Sequence, residues 1–158
     1  MPHDNKRKAF TTMTYQSTKT YGHEIGLSCA FRQWKAKSHC QFIHGYALSF
    51  KFIFETKELD KHNWVVDFGG LKQLKETLKA IFDHKMIIAR DDPLRVEFKL
   101  LQDLGGLQGI VMDNVGCEAF ARVAFEEASR LIAHNGIKVV SCECAEHGAN
   151  SAIYIGEY

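Results

Sequence analysis

No stretch of this sequence stays apolar for the roughly 20 residues that a membrane-spanning helix needs, so no membrane association is expected. The N-terminal "MPHDNKRKAFTTMTYQSTK" is basic but has no apolar core of the kind secretory leaders carry, which makes a cytoplasmic location the expectation. An excess of charge is missing too. Twenty lysines and arginines face 19 acidic residues, and a net charge of +1 leaves no global field to draw in nucleic acid or an anionic surface. The five cysteines are odd in number and lack the spacing of a disulfide framework, so reduced thiols are expected. There is no internal repeat and no low-complexity tract. The composition, 46% hydrophobic and 25% charged over 158 residues, suits one soluble domain with its own core.

Residues 1–17 are polar without periodicity and read as a flexible arm, leaving 18–158 as a single domain. Residues 18–30 alternate loosely as a strand. "HGYALSFKFIFET" alternates strongly, with Tyr46, Leu48, Phe50, Phe52 and Phe54 on one parity. A helix is expected from Phe68, with Leu71, Leu74, Leu78 and Phe82 on one face. Residues 83–114 read as irregular. A second helix fits "CEAFARVAFEEASRLIAHNG", with Phe120, Val123, Ala124, Ala128 and Leu131 as its stripe and Asn135-Gly136 as its stop. "IKVVSCECAEH" and "SAIYIGEY" alternate as two strands around a "GAN" turn. The order ββααββ predicts an α+β fold, a four-stranded antiparallel sheet with both helices on one face. Its two open edges could be protected by joining sheets edge to edge into an oligomeric barrel.

Four groups of residues carry chemistry. Cys40 ends a basic loop with Lys35, Lys37 and His39 around it, a setting in which a thiol serves as base or nucleophile. His44 and Tyr46 share one face of a strand, where two side chains can reach one metal. Asp83 and His84 follow the first helix and could form a proton relay. Glu146 shares parity with Cys142 and Cys144, and a carboxylate there suits the N–H and amino edge of a pterin or guanine. Each also has a plainer reading: an inert buried thiol, a hydrogen-bonded core histidine, a helix-end histidine, a surface glutamate.

Together these groups resemble a known family. "C-x-x-x-H-G-Y" at Cys40 to Tyr46 is similar to the C-x-x-x-H-G-H motif of the 6-pyruvoyltetrahydropterin synthase and 6-carboxytetrahydropterin synthase superfamily. "NWVVDFGGLK", "FDHK", "DNVGCEAFA" and "AEHGANSAIYIGE" resemble further blocks of that family, in the same order, over roughly residues 20–158. The resemblance implies its tunnelling fold and an assembly of six identical chains, a dimer of trimers with sites at subunit interfaces. It implies Cys40 as general base, Asp83 and His84 as the relay, and Glu118 and Glu146 as substrate-binding carboxylates. It also implies a lyase that converts dihydroneopterin triphosphate to 6-carboxytetrahydropterin on the route to queuosine.

One part of the family pattern is altered. The family's zinc is held by three histidines, and here the first position is Phe31 in "LSCAFRQW" while the third is Tyr46. Only His44 remains, so zinc is the implied cofactor of an incomplete site. Phenylalanine cannot ligate, and a tyrosine ligates only as phenolate, which its usual pKa of about 10 makes costly. His39, His23 and Cys29 are candidate substitutes. "P-T" ahead of Glu118 is replaced by Val115-Gly116. Arg32, Lys35 and Lys37 could hold a triphosphate or another anion. Two functions therefore stay open. One is the lyase. The other is a divergent paralogue that binds a pterin or purine, or runs a metal-free reaction.

Overall fold

The computed structural model describes residues 13–132 and 136–157, and among these the chain forms seven strands and three α-helices. Residues 1–12, most of the expected arm, and Asn135 of the expected helix stop lie outside the described residues. Tyr15, Gln16 and Ser17, also assigned to the arm, belong to the first strand.

The spine is β3, His44–Thr56. Leu48, Phe50, Phe52 and Phe54 all point to one side of it and are completely buried. One edge of β3 carries two successive antiparallel partners, β1 (Tyr15–Tyr21) and β2 (Leu27–Phe31). The strand expected over residues 18–30 is thus interrupted. Between Tyr21 opposite Phe50 and Leu27 opposite Leu48, the chain bulges through a 3-10 turn at His23–Ile25. Gly26 closes that turn at φ 74°, a left-handed conformation that glycine adopts without a Cβ clash. The other edge of β3 pairs with β6 (Lys138–His147), which pairs with β7 (Asn150–Ile155).

The helices α1 (Lys72–Phe82) and α3 (Cys117–Ile132) cover the apolar face of β3, as their stripes require. Leu74, Leu78 and Phe82 are the buried positions of α1. Phe120, Ala121, Ala124 and Ala128 are buried on α3, and its small alanines let the helix lie close to β6 and β7. Phe82 and Phe120 meet edge to face at 5.4 Å.

Residues 83–114 are where the four-stranded expectation has to be corrected. They form β4 (Lys85–Ala89), α2 (Arg95–Asp103) and β5 (Gly109–Met112). β4 runs parallel to β2, and β5 runs parallel to β4. The sheet is therefore mixed, in the order β5-β4-β2-β3-β6-β7 with β1 also on β3, and it stays open within the chain. Parallel neighbours need a crossover, and α2 supplies it. Met86, Ile87, Ile88 and Ala89 are all buried, because Ile87 and Ala89 join the main core while Met86 and Ile88 pack against Phe98 of α2. A strand covered on both faces shows no alternation.

Replacing Phe52 with alanine should lower the unfolding free energy by about 3–5 kcal/mol in a urea titration, because the ring is wholly enclosed between sheet and helices.

Candidate functional site

The row of side chains that builds the core along β3 continues past Leu48 to Tyr46 and His44, where it opens into a cavity of about 200 Å³. The lining comes from six places, His44 at the start of β3 being one of them. Phe31 ends β2 and lies opposite His44; Gln33 and Cys40 come from the loop between β2 and β3; Gly116, Cys117 and Glu118 start α3; Glu146 comes from β6. Asn150 and Ser151 of β7 complete it. The ladder between β6 and β7 steps from Ala145 to His147, skipping Glu146, an irregularity of the kind that re-aims a side chain. Cys40, His44, Glu118 and Glu146, expected as site residues from widely separated motifs, thus meet in one place.

Asp83 and His84 are not among the residues that line the cavity. His84 Nδ1 lies 2.7 Å from Asp83 Oδ1, so the two do form the expected pair. They sit beside Ser28, whose amide donates to Asp83 Oδ1 at 3.4 Å and whose carbonyl accepts from the His84 amide at 2.7 Å. Within one chain the pair is therefore formed, but it does not line the cavity that holds Cys40. His84 holds φ 55°, in the left-handed region, as the chain leaves α1 for β4.

The loop that carries Cys40 is tied down by acidic residues. Arg32 donates from Nε and a terminal nitrogen to the two oxygens of Asp92, at 2.8 and 2.7 Å, and the Asp92 side chain is 1% exposed. Trp34 Nε1 donates to Asp91 at 3.1 Å, and Lys35 Nζ lies 2.6 Å from the same carboxylate. The Gln33 amide donates to the Cys40 carbonyl at 2.9 Å, and Ser38 Oγ accepts from the Cys40 amide at 3.3 Å. The anion-binding expectation is corrected for Arg32, whose guanidinium is committed to a buried carboxylate, while Lys35 is paired with Asp91. Burial by itself raises the Asp92 pKa, but the hydrogen bonds from Arg32 and from the Leu94 amide outweigh it and hold the group below its ordinary value.

The residues at the three family zinc positions do not fit a three-histidine centre. Phe31 is 2% exposed, its ring 5.1 Å from Phe120, edge to face, and 4.8 Å from the ring of His44. The Phe31 ring thus continues the core into the place a ligand would take. Tyr46 lies 5.6 Å from His44, and its phenol is held above its usual pKa, first by burial and then by repulsion from Glu146, Cys40 and Cys117. That favours the neutral hydroxyl, a weak ligand. His44 Nδ1 lies 2.7 Å from the Phe42 carbonyl, to which it donates in the neutral tautomer that leaves Nε2 as acceptor. Of the substitutes, Cys29 is buried and its thiol is pushed up to about 12, by burial and then by Cys117, while His23 lies against the Ala47 carbonyl at 2.5 Å. Among the described residues, no group of three or more histidines, cysteines, aspartates or glutamates gathers as a metal would require.

Sequence reasoning passed over Gln33, Cys117, Asn150 and Ser151 as lining residues. The last two follow directly from the hairpin turn, which returns the chain beside Glu146. Gln33 carries no signal of its own in the sequence. A larger groove of about 530 Å³ lies between β1 and residues 59–68, but apart from Asp67, which caps the turn into α1, it offers only apolar and neutral polar side chains.

The same open α+β arrangement is found in known proteins. Residues 22–157 match the family described as 6-pyruvoyl tetrahydropterin synthase. The chain belongs to that family. A curated relative, 6-carboxy-5,6,7,8-tetrahydropterin synthase of Rickettsia typhi, is 39% identical over 57 residues, 35% of this chain and 41% of the relative. Its counterpart in Rickettsia conorii is 35% identical over the same length, so the match spans about two fifths of these curated relatives. Among solved structures, an uncharacterized protein from Wolinella succinogenes is similar with a TM-score of 0.77 and 23% identity, over 92% of this chain and 99% of that one. The 6-pyruvoyl tetrahydropterin synthase of Plasmodium vivax follows the fold with a TM-score of 0.64 at 11% identity, over 90% and 97% of the two chains. At those identities the likeness is one of fold. No helix among the described residues is long and apolar enough to cross a membrane.

Exchange of Asp92 for alanine should destabilise the chain by about 3–5 kcal/mol, since it leaves the Arg32 charge largely buried without its partner. The Asp92 pKa is lowered in the folded state, so its contribution is complete above the ordinary carboxylate range near pH 4 and is lost as pH falls through the folded value. Urea titrations of both proteins from neutral to acid pH should show their difference shrinking on the acid side.

Proposed function

We propose that the cavity binds the ring of a pterin and that Cys40 moves a proton on the ligand's side chain. The observation that carries this is the convergence of one partly exposed thiol and two carboxylates, Glu118 and Glu146, on a single cavity. A carboxylate accepts two parallel hydrogen bonds from an N–H and amino edge, the geometry of a guanidinium-like group. Such an edge on Glu146 would leave the rest of the ring toward Cys40. The finer proposal is a lyase similar to 6-carboxytetrahydropterin synthase, acting on dihydroneopterin triphosphate in queuosine precursor synthesis. The names of the Rickettsia relatives support it.

The cavity of about 200 Å³ is small beside the roughly 300–1,000 Å³ of typical ligand pockets. One chain therefore encloses only part of such a ligand. That supports a homo-oligomeric assembly, a hexamer in this proposal, in which the Asp83–His84 pair of a neighbouring chain approaches Cys40 and completes the proton relay. The open ends of the sheet support edge-to-edge joining of copies.

A second reading is favoured by Phe31. With a phenyl ring built into the core at the first metal position, recognition rests on the carboxylates, and the chain acts as a divergent paralogue that binds a pterin or purine without zinc. Both readings share the cavity, and turnover separates them.

Incubation of the assembled protein with dihydroneopterin triphosphate tests the lyase directly. Cys40→Ala should cut turnover by about 100- to 10,000-fold while leaving pterin binding in place, and Glu146→Ala should weaken binding itself. Binding without turnover in the unmodified protein would favour the paralogue. A Glu146→Ala protein with full pterin affinity would remove the proposed anchor. Pterin affinity measured before and after exhaustive chelation should be unchanged, because no step of ring recognition here relies on a metal.

A further inference from the structure

Gln33 joins the two halves of the cavity. Its backbone amide donates to the Cys40 carbonyl, 2.9 Å away, and so helps set the turn that presents the thiol. Its side chain crosses to the start of α3, where Nε2 donates to the Val115 carbonyl at 2.5 Å. The next residue, Gly116, is buried at φ 108°, and a Cβ there would stand 3.0 Å from Gln33 Nε2 and 3.6 Å from Glu118 Oε2. The glutamine amide therefore packs tightly against the bare face of Gly116, whose φ favours glycine, and it does so beside a proposed ring-binding carboxylate.

The orientation of the amide follows from this contact. The group facing a carbonyl oxygen must be the NH2, so the Val115 bond assigns nitrogen and oxygen without ambiguity. That bond uses one N–H. The second N–H and the amide oxygen remain on a side chain that lines the cavity. The free N–H is a donor for the ring carbonyl that stands next to the N–H and amino edge of a pterin. Glu118 and Glu146 offer acceptors only and suit amino and N–H groups.

Resting on the pterin-binding proposal, we infer that Gln33 is a specificity-determining residue: its free amide N–H donates to the ring carbonyl of a 2-amino-4-oxo ring and favours that ring over a 2,4-diamino one. Through its backbone bond it also positions Cys40. The diamino ring puts an amino donor where the carbonyl stood, so the N–H of Gln33 meets another donor, while the loss of the ring N–H falls on Glu146.

The test compares the full-length protein with Gln33→Leu, Gln33→Glu and Glu146→Ala, by fluorescence titration with pterin and with 2,4-diaminopteridine. The unmodified protein should prefer pterin. In Gln33→Leu the affinity for pterin should drop about tenfold while that for the diamino ring holds, so the preference narrows by that factor. Gln33→Glu keeps the size of the side chain but puts a carboxylate against the Val115 carbonyl, and it too should narrow the preference. All variants keep the backbone bond to Cys40, and thermal unfolding checks that they fold. An equal fall in both affinities, or no change in either, overturns the assignment. If pterin binding depends on Glu146 and not on Gln33, the specificity role alone fails. If the unmodified protein binds neither ring, the pterin proposal fails with it.

Discussion

Everything in this chain is arranged around one face of one strand. Leu48, Phe50, Phe52 and Phe54 can leave water only if β3 keeps its register and is covered from one side. A slip of one residue would turn all four to the opposite face. The same constraint fixes the positions of His44 and Tyr46, which lie on the same parity four and two residues before Leu48. The cavity is thus the open end of the hydrophobic core. This explains how a ligand position can be taken over by packing: Phe31 needs only to extend an existing row of rings, from Phe120 through to His44.

The polar half of the cavity is built by a different means. The Cys40 loop has no fully buried apolar residue, only Trp34 partly buried against the core, so charge and hydrogen bonds do much of the fastening, with Asp92 as the buried anchor. Its basic character serves the fold before it serves any ligand. The acidic side chains that remain in the cavity, Glu118 and Glu146, belong to α3 and β6, two elements held in place by the core. Rigid elements therefore present the carboxylates, while a tethered loop presents the thiol.

The elements legible in the sequence were those whose apolar residues repeat on one face. β3, α1, α3, β6 and β7 all show that repeat, since each has one side in the core and one outside it. β4 was not legible because α2 covers its second face and every residue from Met86 to Ala89 is buried. β5 is four residues long, too short for any period to appear. In the site, Cys40, His44, Glu118 and Glu146 were marked by motif spacing, and they converge. Gln33 was silent, because its role depends on the bare backbone of Gly116, more than eighty residues away. The separation of Asp83 and His84 from Cys40 is a property of topology: the pair hangs on Ser28, three positions before Phe31 along β2, and no local pattern encodes that distance.

The packing of Phe31 has a consequence for how sequences of this kind can change. Substituting histidine for Phe31 alone would set an imidazole into a nearly closed apolar site, with His44 as the only other histidine of the trio. Substituting histidine for Tyr46 alone would leave Phe31 where it is. Each single step loses packing without completing a coordination sphere, and only both together supply three nitrogens. The two positions are therefore coupled.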